Sequence, residues 1–259
     1  MAYPMPLETT GDFNHPPTST VFSASDHFND ARPHLLLCAS GSVATIKIPL
    51  IVQRLTTAYK PMPHIRIILT ASSAHFLSGQ SVEQPPVPSL TSLPGVEAVY
   101  ADEDEWAVPW TRGSKILHIE LRRWADACAV APLSANSMAK MVQGIADNLL
   151  LSTLRAWDTD GTVDPIRWPP SMQRMPPGSA PPKKILVAPA MNTAMWRHPV
   201  TRVQVRMLEE EWGTWVRVLR PQEKELACGD TGDGAMRDWR QVVAEIADRI
   251  NQTVERLWR

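Results

Sequence analysis

Four short runs in this chain are apolar through both parities: His34 to Ala39 (HLLLCA), Ile65 to Thr70 (IRIILT), Asp126 to Pro132 (DACAVAP) and Lys184 to Pro189 (KILVAP). A strand with one wet face alternates apolar and polar side chains, so a run that does not alternate is covered on both faces, as in a parallel sheet. Trp215 to Leu219 reads as a further short strand. Helical spacing fills the gaps between these runs. Val43, Ile46, Leu50, Ile51 and Leu55 fall three and four apart, with Pro49 expected to kink or weaken that helix. Ser134 to Trp157 and Thr193 to Trp212 follow, and then Asp238 to Trp258. This last stretch sets Val243, Ile246, Ala247, Ile250, Val254 and Leu257 on one face, with Asp238 as N-cap. Strand–helix repetition of this kind predicts an α/β fold, a parallel sheet with helices on both faces.

Two stretches do not fit that repetition. Residues 1 to 32 are polar, rich in Pro, Ser and Thr, and without apolar period, which predicts a disordered tail. A Pro-rich insertion at about 159–182 cannot supply the backbone donors of a helix or central strand. What remains of 33–259 suits a single domain. The chain carries 26 Lys+Arg against 27 Asp+Glu, a balance that argues against nucleic-acid binding by bulk charge. No apolar run approaches the roughly 18 residues of a membrane span, and the first thirty residues show no basic-then-apolar secretory signal. Three scattered cysteines, Cys38, Cys128 and Cys228, make no disulfide framework and point to a reducing, cytoplasmic setting.

Ligands of an open parallel sheet bind outside the carboxyl ends of its strands. Four strand-end loops here are chemically unusual. Ala39-Ser40-Gly41-Ser42-Val43 combines a glycine with hydroxyls at a helix start, which suits a phosphate. It is neither GxGxxG nor a Walker loop. Thr70-Ala71-Ser72-Ser73-Ala74-His75-Phe76 repeats the small hydroxyl theme. Ser134, Ala135, Asn136 and Ser137 crowd a third helix start with more polar groups than one cap needs. Ala188-Pro189-Ala190-Met191-Asn192-Thr193 places Asn192 at the fourth. Taken singly, each turn is accounted for by helix capping alone. His118 precedes the strand that leads into the third loop. Leu226-Ala227-Cys228-Gly229-Asp230-Thr231-Gly232-Asp233-Gly234 has no CxxC and no His at ligand spacing, so no zinc is expected there. Its lone cysteine could serve as proton donor or nucleophile.

The chain resembles the phosphopantothenoylcysteine decarboxylases of the flavin-containing cysteine decarboxylase superfamily, and fungal halotolerance-type proteins related to them. The resemblance rests on ASGSVATIK (39–47), TASSAHF (70–76), DEDEW (102–106), LHIELRRWAD (117–126), APLSANSMAK (131–140), GIADNLLLSTLRAWD (144–158), APAMNTAMW (188–196) and LACGDTGDGAM (226–236). Ala71 and Ser137 stand where relatives often have Lys and Thr. The likeness implies a Rossmann-like, flavodoxin-type fold, FMN as cofactor, and a homotrimer with active sites between subunits. It implies that Gly41, Ser42, Val43, Thr70, Ala71, Ser72, Phe76, Ser134, Ala135, Asn136, Ser137 and Ala190 hold FMN. Met191, Asn192 and Ala227 would meet the substrate, 4′-phosphopantothenoylcysteine. His118 would be the base, Asn192 the carboxylate contact and Cys228 the proton donor. The implied chemistry oxidises the substrate thiol to a thioaldehyde, loses CO₂, and reduces the ene-thiolate to 4′-phosphopantetheine. Alternatives on the same scaffold are a regulatory inhibitor of a type 1 protein phosphatase, one subunit of a mixed trimer of paralogues, a peptide-cysteine decarboxylase and a flavin prenyltransferase. The absence of an acidic run in NQTVERLWR, and the presence of His118, Asn192 and Cys228 in one chain, favour the self-sufficient enzyme.

Overall fold

The computed structural model describes residues 22–30, 32–164, 183–225 and 231–258. Six parallel strands form its sheet: β1 (His34–Ala39), β2 (His64–Leu69), β3 (Val96–Tyr100), β4 (Ala127–Leu133), β5 (Ile185–Pro189) and β6 (Val216–Val218). Their order is β3-β2-β1-β4-β5-β6, the doubly wound order of dinucleotide-binding folds rather than the shorter 2-1-3-4-5 order of flavodoxins. An antiparallel hairpin, β7 (Gln222–Glu225) and β8 (Thr231–Ala235), stands apart from it. The helices are α1 (Ile48–Ala58), α2 (Ala71–Ala74), α3 (Leu117–Trp124), α4 (Ala135–Gln143), α5 (Leu149–Arg155), α6 (Thr193–Arg197), α7 (Pro199–Arg206) and α8 (Trp239–Trp258).

Strand parity sorts the core into two layers. Leu35, Leu37, Ala39, Ile65, Ile67, Ala129 and Leu186 face α1 and α8, where they meet Ile51, Leu55, Val243 and Ile246. Leu36, Cys38, Ile68, Val130, Ile185 and Val187 face the other way, against Leu121, Trp124, Leu150 and Leu154 of α3 and α5. Each fully buried Leu or Ile contributes about 1.5–3 kcal/mol of transfer free energy, so both parities are needed to hold both helix layers. Cys38 and Cys128 are buried free thiols on the paired strands β1 and β4.

Several expectations change on folding. Pro49 occupies the first turn of α1, where no backbone donor is required, and a 3-10 turn at Val43–Lys47 precedes it. The stretch Ser134 to Trp157 is two helices, because Gly144 ends α4 in the left-handed conformation at φ 72. Thr193 to Trp212 breaks at His198, whose successor Pro199 begins α7. Strand β3 escaped notice because it lies at the sheet edge, where its residues are only partly buried and no two-sided apolar run is required.

The expected tail is also shorter. Residues 24–27 form a 3-10 turn whose Ala24 N–H donates to Glu120 Oε2 at 2.8 Å. The Phe22 ring stands edge-on to Trp124, and the Arg66 guanidinium lies 3.8 Å from the Phe22 ring centre. The Pro-rich insertion starts as ordered chain: Asp158 accepts N–H donors from Gly161, Thr162, Val163 and Asp164. Asp164 is buried and binds Arg122 at 2.7 Å. Residues 1–21 and 165–182 lie outside the described residues.

Candidate active site

The strand order reverses between β1 and β4, so the carboxyl ends of those two strands flank the crevice where an open α/β sheet takes its ligand. Ser40, at the end of β1, ties the two together. Its buried hydroxyl accepts the Ser134 N–H at 2.8 Å and donates to the Pro132 carbonyl at 3.3 Å. The next residue, Gly41, lies against the loop that follows β2. A Cβ there would fall 2.6 Å from Ser72 Oγ, so only glycine lets the two loops close on one another.

Three helix starts converge on this point, each capped by a hydroxyl. Ser42 accepts from the Ala44 N–H, Thr70 from the Ser73 N–H and Ser134 from the Ser137 N–H. None of the three turns carries an acidic residue. Hydroxyls and helix-start N–H groups without a nearby carboxylate are a donor set for an anion. That set fits the phosphate of FMN. Ala71 and Ser72 are exposed, Phe76 is half-buried beyond α2, and Ala135 and Asn136 are the accessible residues at the start of α4. Ala190 is buried beside them and donates its N–H to the Leu133 carbonyl at 2.9 Å. Val43 is exposed.

His118 sits in the first turn of α3, half-buried. Its Nδ1 is 3.0 Å from Oε1 of Glu105, in the 3-10 turn Asp102–Trp106 that follows β3. The Glu105 side chain is only 4% exposed, and its other oxygen, Oε2, is buried without a partner. In the neutral tautomer that donates to Glu105, Nδ1 carries the proton and Nε2 presents a lone pair. Glu105 was visible in the sequence only as part of DEDEW, and nothing local marked it as the partner of a histidine thirteen residues on. The neighbouring Asp102 accepts the Leu149 N–H at 3.0 Å. Burial nevertheless pushes its carboxyl above the usual carboxylate value.

Asn192 caps α6 through Oδ1, which accepts the Met195 N–H at 2.8 Å. Its Nδ2 donors stay turned away from that cap, on an exposed residue. The half-buried Met191 donates its N–H to the Gly234 carbonyl at 3.0 Å. This contact seats β8 against the loop after β5. A Cβ on Gly232 would collide with the Thr193 side chain, and one on Gly234 with the Met191 carbonyl, so both glycines are required by the close approach. The sequence showed the glycines but not what they pack on. Residues 226–230, with Ala227 and Cys228, lie outside the described residues, although β7 and β8 on either side of them are anchored beside Asn192.

Glu105, the partner of His118, and Asn192 follow strands in opposite halves of the sheet. Four strand spacings separate the carboxyl ends of β3 and β5, which anchor the Glu105 turn and the Asn192 loop, on the order of 19 Å. No hydrogen bond among the described residues joins the two groups.

The doubly wound order, with hydroxyl-capped helix starts at its switch point, defines an α/β protein with an anion-compatible donor set at its carboxyl edge. The family model described as Flavoprotein matches residues 23–251, and the chain belongs to that family. It is 40% identical over 230 residues to the "Probable thymidylate synthase" of Schizosaccharomyces pombe, covering 89% of this chain and 31% of that protein. It is 35% identical over 244 residues to "Coenzyme A biosynthesis protein 3" of Saccharomyces cerevisiae, covering 91% of this chain and 36% of that one. The chain thus spans about a third of the length of these two relatives. The phosphopantothenoylcysteine decarboxylase of Arabidopsis thaliana is 39% identical over 208 residues, 80% of each chain. Among solved structures, a PPC decarboxylase mutant complexed with pantothenoylaminoethenethiol matches at a TM-score of 0.64 and 37% identity, over 83% of this chain and 97% of that one. "The FMN binding protein AtHal3" matches at 0.60 and 38% identity, over 83% of this chain and 95% of that one. No described helix is long and apolar enough to cross a membrane.

Proposed function

We propose that this chain is an FMN-dependent decarboxylase that converts 4′-phosphopantothenoylcysteine to 4′-phosphopantetheine, a step of coenzyme A synthesis. The observation that carries the reading is the His118–Glu105 pair at the same carboxyl edge as the Ser40–Gly41–Ser134 cradle. Its support from likeness is the decarboxylase of Arabidopsis thaliana, matched over four fifths of both chains. Gly41, Ser42, Val43, the Thr70–Ser72 turn, Phe76, the Ser134–Ser137 turn and Ala190 would hold FMN. Bound there, FMN supplies the two-electron acceptor and donor that an amino-acid decarboxylation lacks.

The protein's own residues supply proton transfer and orientation. His118 Nε2 accepts the substrate thiol proton, and Glu105 holds the ring and balances the imidazolium that results. Asn192, with Oδ1 committed to its cap, offers Nδ2–H to the substrate carboxylate. A neutral donor orients that carboxylate without the ground-state stabilisation that a cation would add against its departure. Met191 and Ala227 border the substrate, and Cys228 returns a proton to the product.

The family resemblance implies a homotrimer, and a site divided between the Glu105 turn and the Asn192 loop supports sharing it between copies. Trp106, Val108 and Trp110 are exposed beside Glu105, and Met195, Val200 and Val203 beside Asn192. Apolar surface on both sides supports contact between copies, the His118 half of one meeting the Asn192 half of another. The free buried thiols Cys38 and Cys128 support a reducing, cytoplasmic setting.

The test is mass spectrometry of purified protein incubated alone with 4′-phosphopantothenoylcysteine. Formation of 4′-phosphopantetheine establishes the reading. No product from flavin-loaded protein overturns self-sufficiency and directs attention to a paralogous subunit. Mixing refolded His118→Asn and Asn192→Ala chains restores activity if the site is shared between copies, and leaves it absent if each chain is complete.

A further inference from the structure

At the opposite, amino end of the sheet lies a second cluster that the proposed decarboxylation does not use. His34 and His64 begin β1 and β2 and are register partners across the sheet. Asp30, from the segment before β1, places one oxygen between them. Asp30 Oδ2 is 2.8 Å from His34 Nε2, 3.8 Å from His64 Nε2 and 3.7 Å from His27 Nδ1. Donor atoms of Asp30, His34 and His64 all lie within 4.8 Å of one another.

The outer nitrogens are already committed. His34 Nδ1 faces the Trp124 carbonyl at 3.0 Å, and the ring stacks on Trp124 with centroids 4.4 Å apart. His64 Nδ1 pairs with Glu97, which Arg66 holds at 3.0 Å. Both outer partners only accept, so both Nδ1 atoms carry protons and both Nε2 atoms turn inward toward Asp30. A histidine bonded through Nδ1–H to a carbonyl or carboxylate, with Nε2 directed at a common centre, is the arrangement that orients metal-ligating imidazoles.

One divalent ion at the centre of the cluster would be met by a ring nitrogen of His34, a ring nitrogen of His64 and a carboxylate oxygen of Asp30. Tetrahedral coordination at about 2.0–2.2 Å puts donors roughly 3.4 Å apart, and the 2.8 and 3.8 Å separations bracket that value.

We propose that Asp30, His34 and His64 form a three-ligand site for a zinc-class divalent transition ion, the fourth position being left to water. Imidazole and carboxylate donors suit that class, whereas calcium and magnesium take oxygen shells. The ion would fasten the segment that carries Asp30 to the first two strands, about one strand length from the carboxyl-edge site. The sequence reading expected no metal because it weighed zinc only at the Cys228 loop. Nothing in the spacing of Asp30, His34 and His64 showed that β1 and β2 bring them together.

The experiment uses the full chain without an affinity tag, stripped by a chelator and dialysed. Zn²⁺ is titrated by calorimetry, and Co²⁺ is added to a parallel sample for its visible spectrum. One Zn²⁺ per chain, a raised melting midpoint and a tetrahedral cobalt spectrum without a thiolate band are expected. His64→Gln and Asp30→Asn, both partly exposed, should each weaken binding at least about tenfold. Cys228→Ser should leave it unchanged. Circular dichroism confirms that the variants fold, and Asp30→Asn alone decides the matter if His64→Gln does not. No stoichiometric binding by the folded chain, binding undiminished in the folded variants, or a thiolate band would each overturn the site.

Discussion

The Nδ1 atom of His118 lies 3.0 Å from Oε1 of Glu105, a carboxylate delivered from the far side of β3. This relationship fixes which ring nitrogen is free. His118→Asn is expected to retain flavin and lose turnover. Glu105→Gln keeps the shape of the turn but cannot balance an imidazolium. Its kcat should fall, within the roughly 10²–10⁴-fold range of a general-base contribution, with KM little changed and the pH–rate profile displaced. Unchanged kcat and an unmoved profile would show that Glu105 only packs the turn.

Gly41 meets Ser72 so closely that a methyl group forces the loops apart. Gly41→Ala is expected to fold normally by circular dichroism but to be purified with little flavin, as read from its visible absorption. A variant with full flavin content would mean the cradle lies elsewhere.

Cys228 falls between β7 and β8 in the sequence, and β8 is fixed beside Asn192 through the Met191 N–H to Gly234 carbonyl bond. Cys228→Ser should release CO₂ without forming 4′-phosphopantetheine, because reduction of the ene-thiolate needs a proton donor. Separate assays of CO₂ and of the reduced product check this, and normal product formation removes Cys228 from the mechanism.

Asp164 shows where the Pro-rich insertion is tied down. Its carboxylate meets Arg122, which also donates to the Ala156 carbonyl at 2.8 Å. Asp164→Ala leaves Arg122 partly unpaired and should cost about 2 kcal/mol in urea unfolding. A deletion that starts at residue 159 should therefore destabilise the chain, whereas one confined to residues after Asp164 spares this contact.

Asp102 accepts a helix N–H, yet burial raises its carboxyl from the ordinary 3.8. A folded value above the unfolded one means the folded state binds the proton more tightly. Ionisation of Asp102 therefore costs stability at neutral pH, and that cost disappears as pH falls below the unfolded value. Asp102→Asn keeps an acceptor for Leu149 and should be as stable as the parent or more so at neutral pH, with the difference shrinking in acid. Asp102→Ala loses the acceptor and should cost about 1 kcal/mol. Thermal melts at neutral and acidic pH check both.

The two-sided apolar runs were enough to identify four central strands, because a strand buried on both faces has no choice of residue type. The helix after Asp238 was equally legible, its apolar face being set by the 3.6-residue period. Edge strand β3 and the β7–β8 hairpin were not, since partly exposed strands face weaker demands and leave weaker patterns. The hydroxyl-rich turns announced themselves as helix starts, and the resemblance proposed what they hold. Their convergence came only from the strand order, which sets β1 beside both β2 and β4. Glu105 with His118, Gly232 with Thr193, and the histidines around Asp30 are pairings across distant segments. Local sequence determines what each segment becomes. Only tertiary packing decides which side chains then share a few ångströms, because the backbone in between can be routed many ways before the sheet closes.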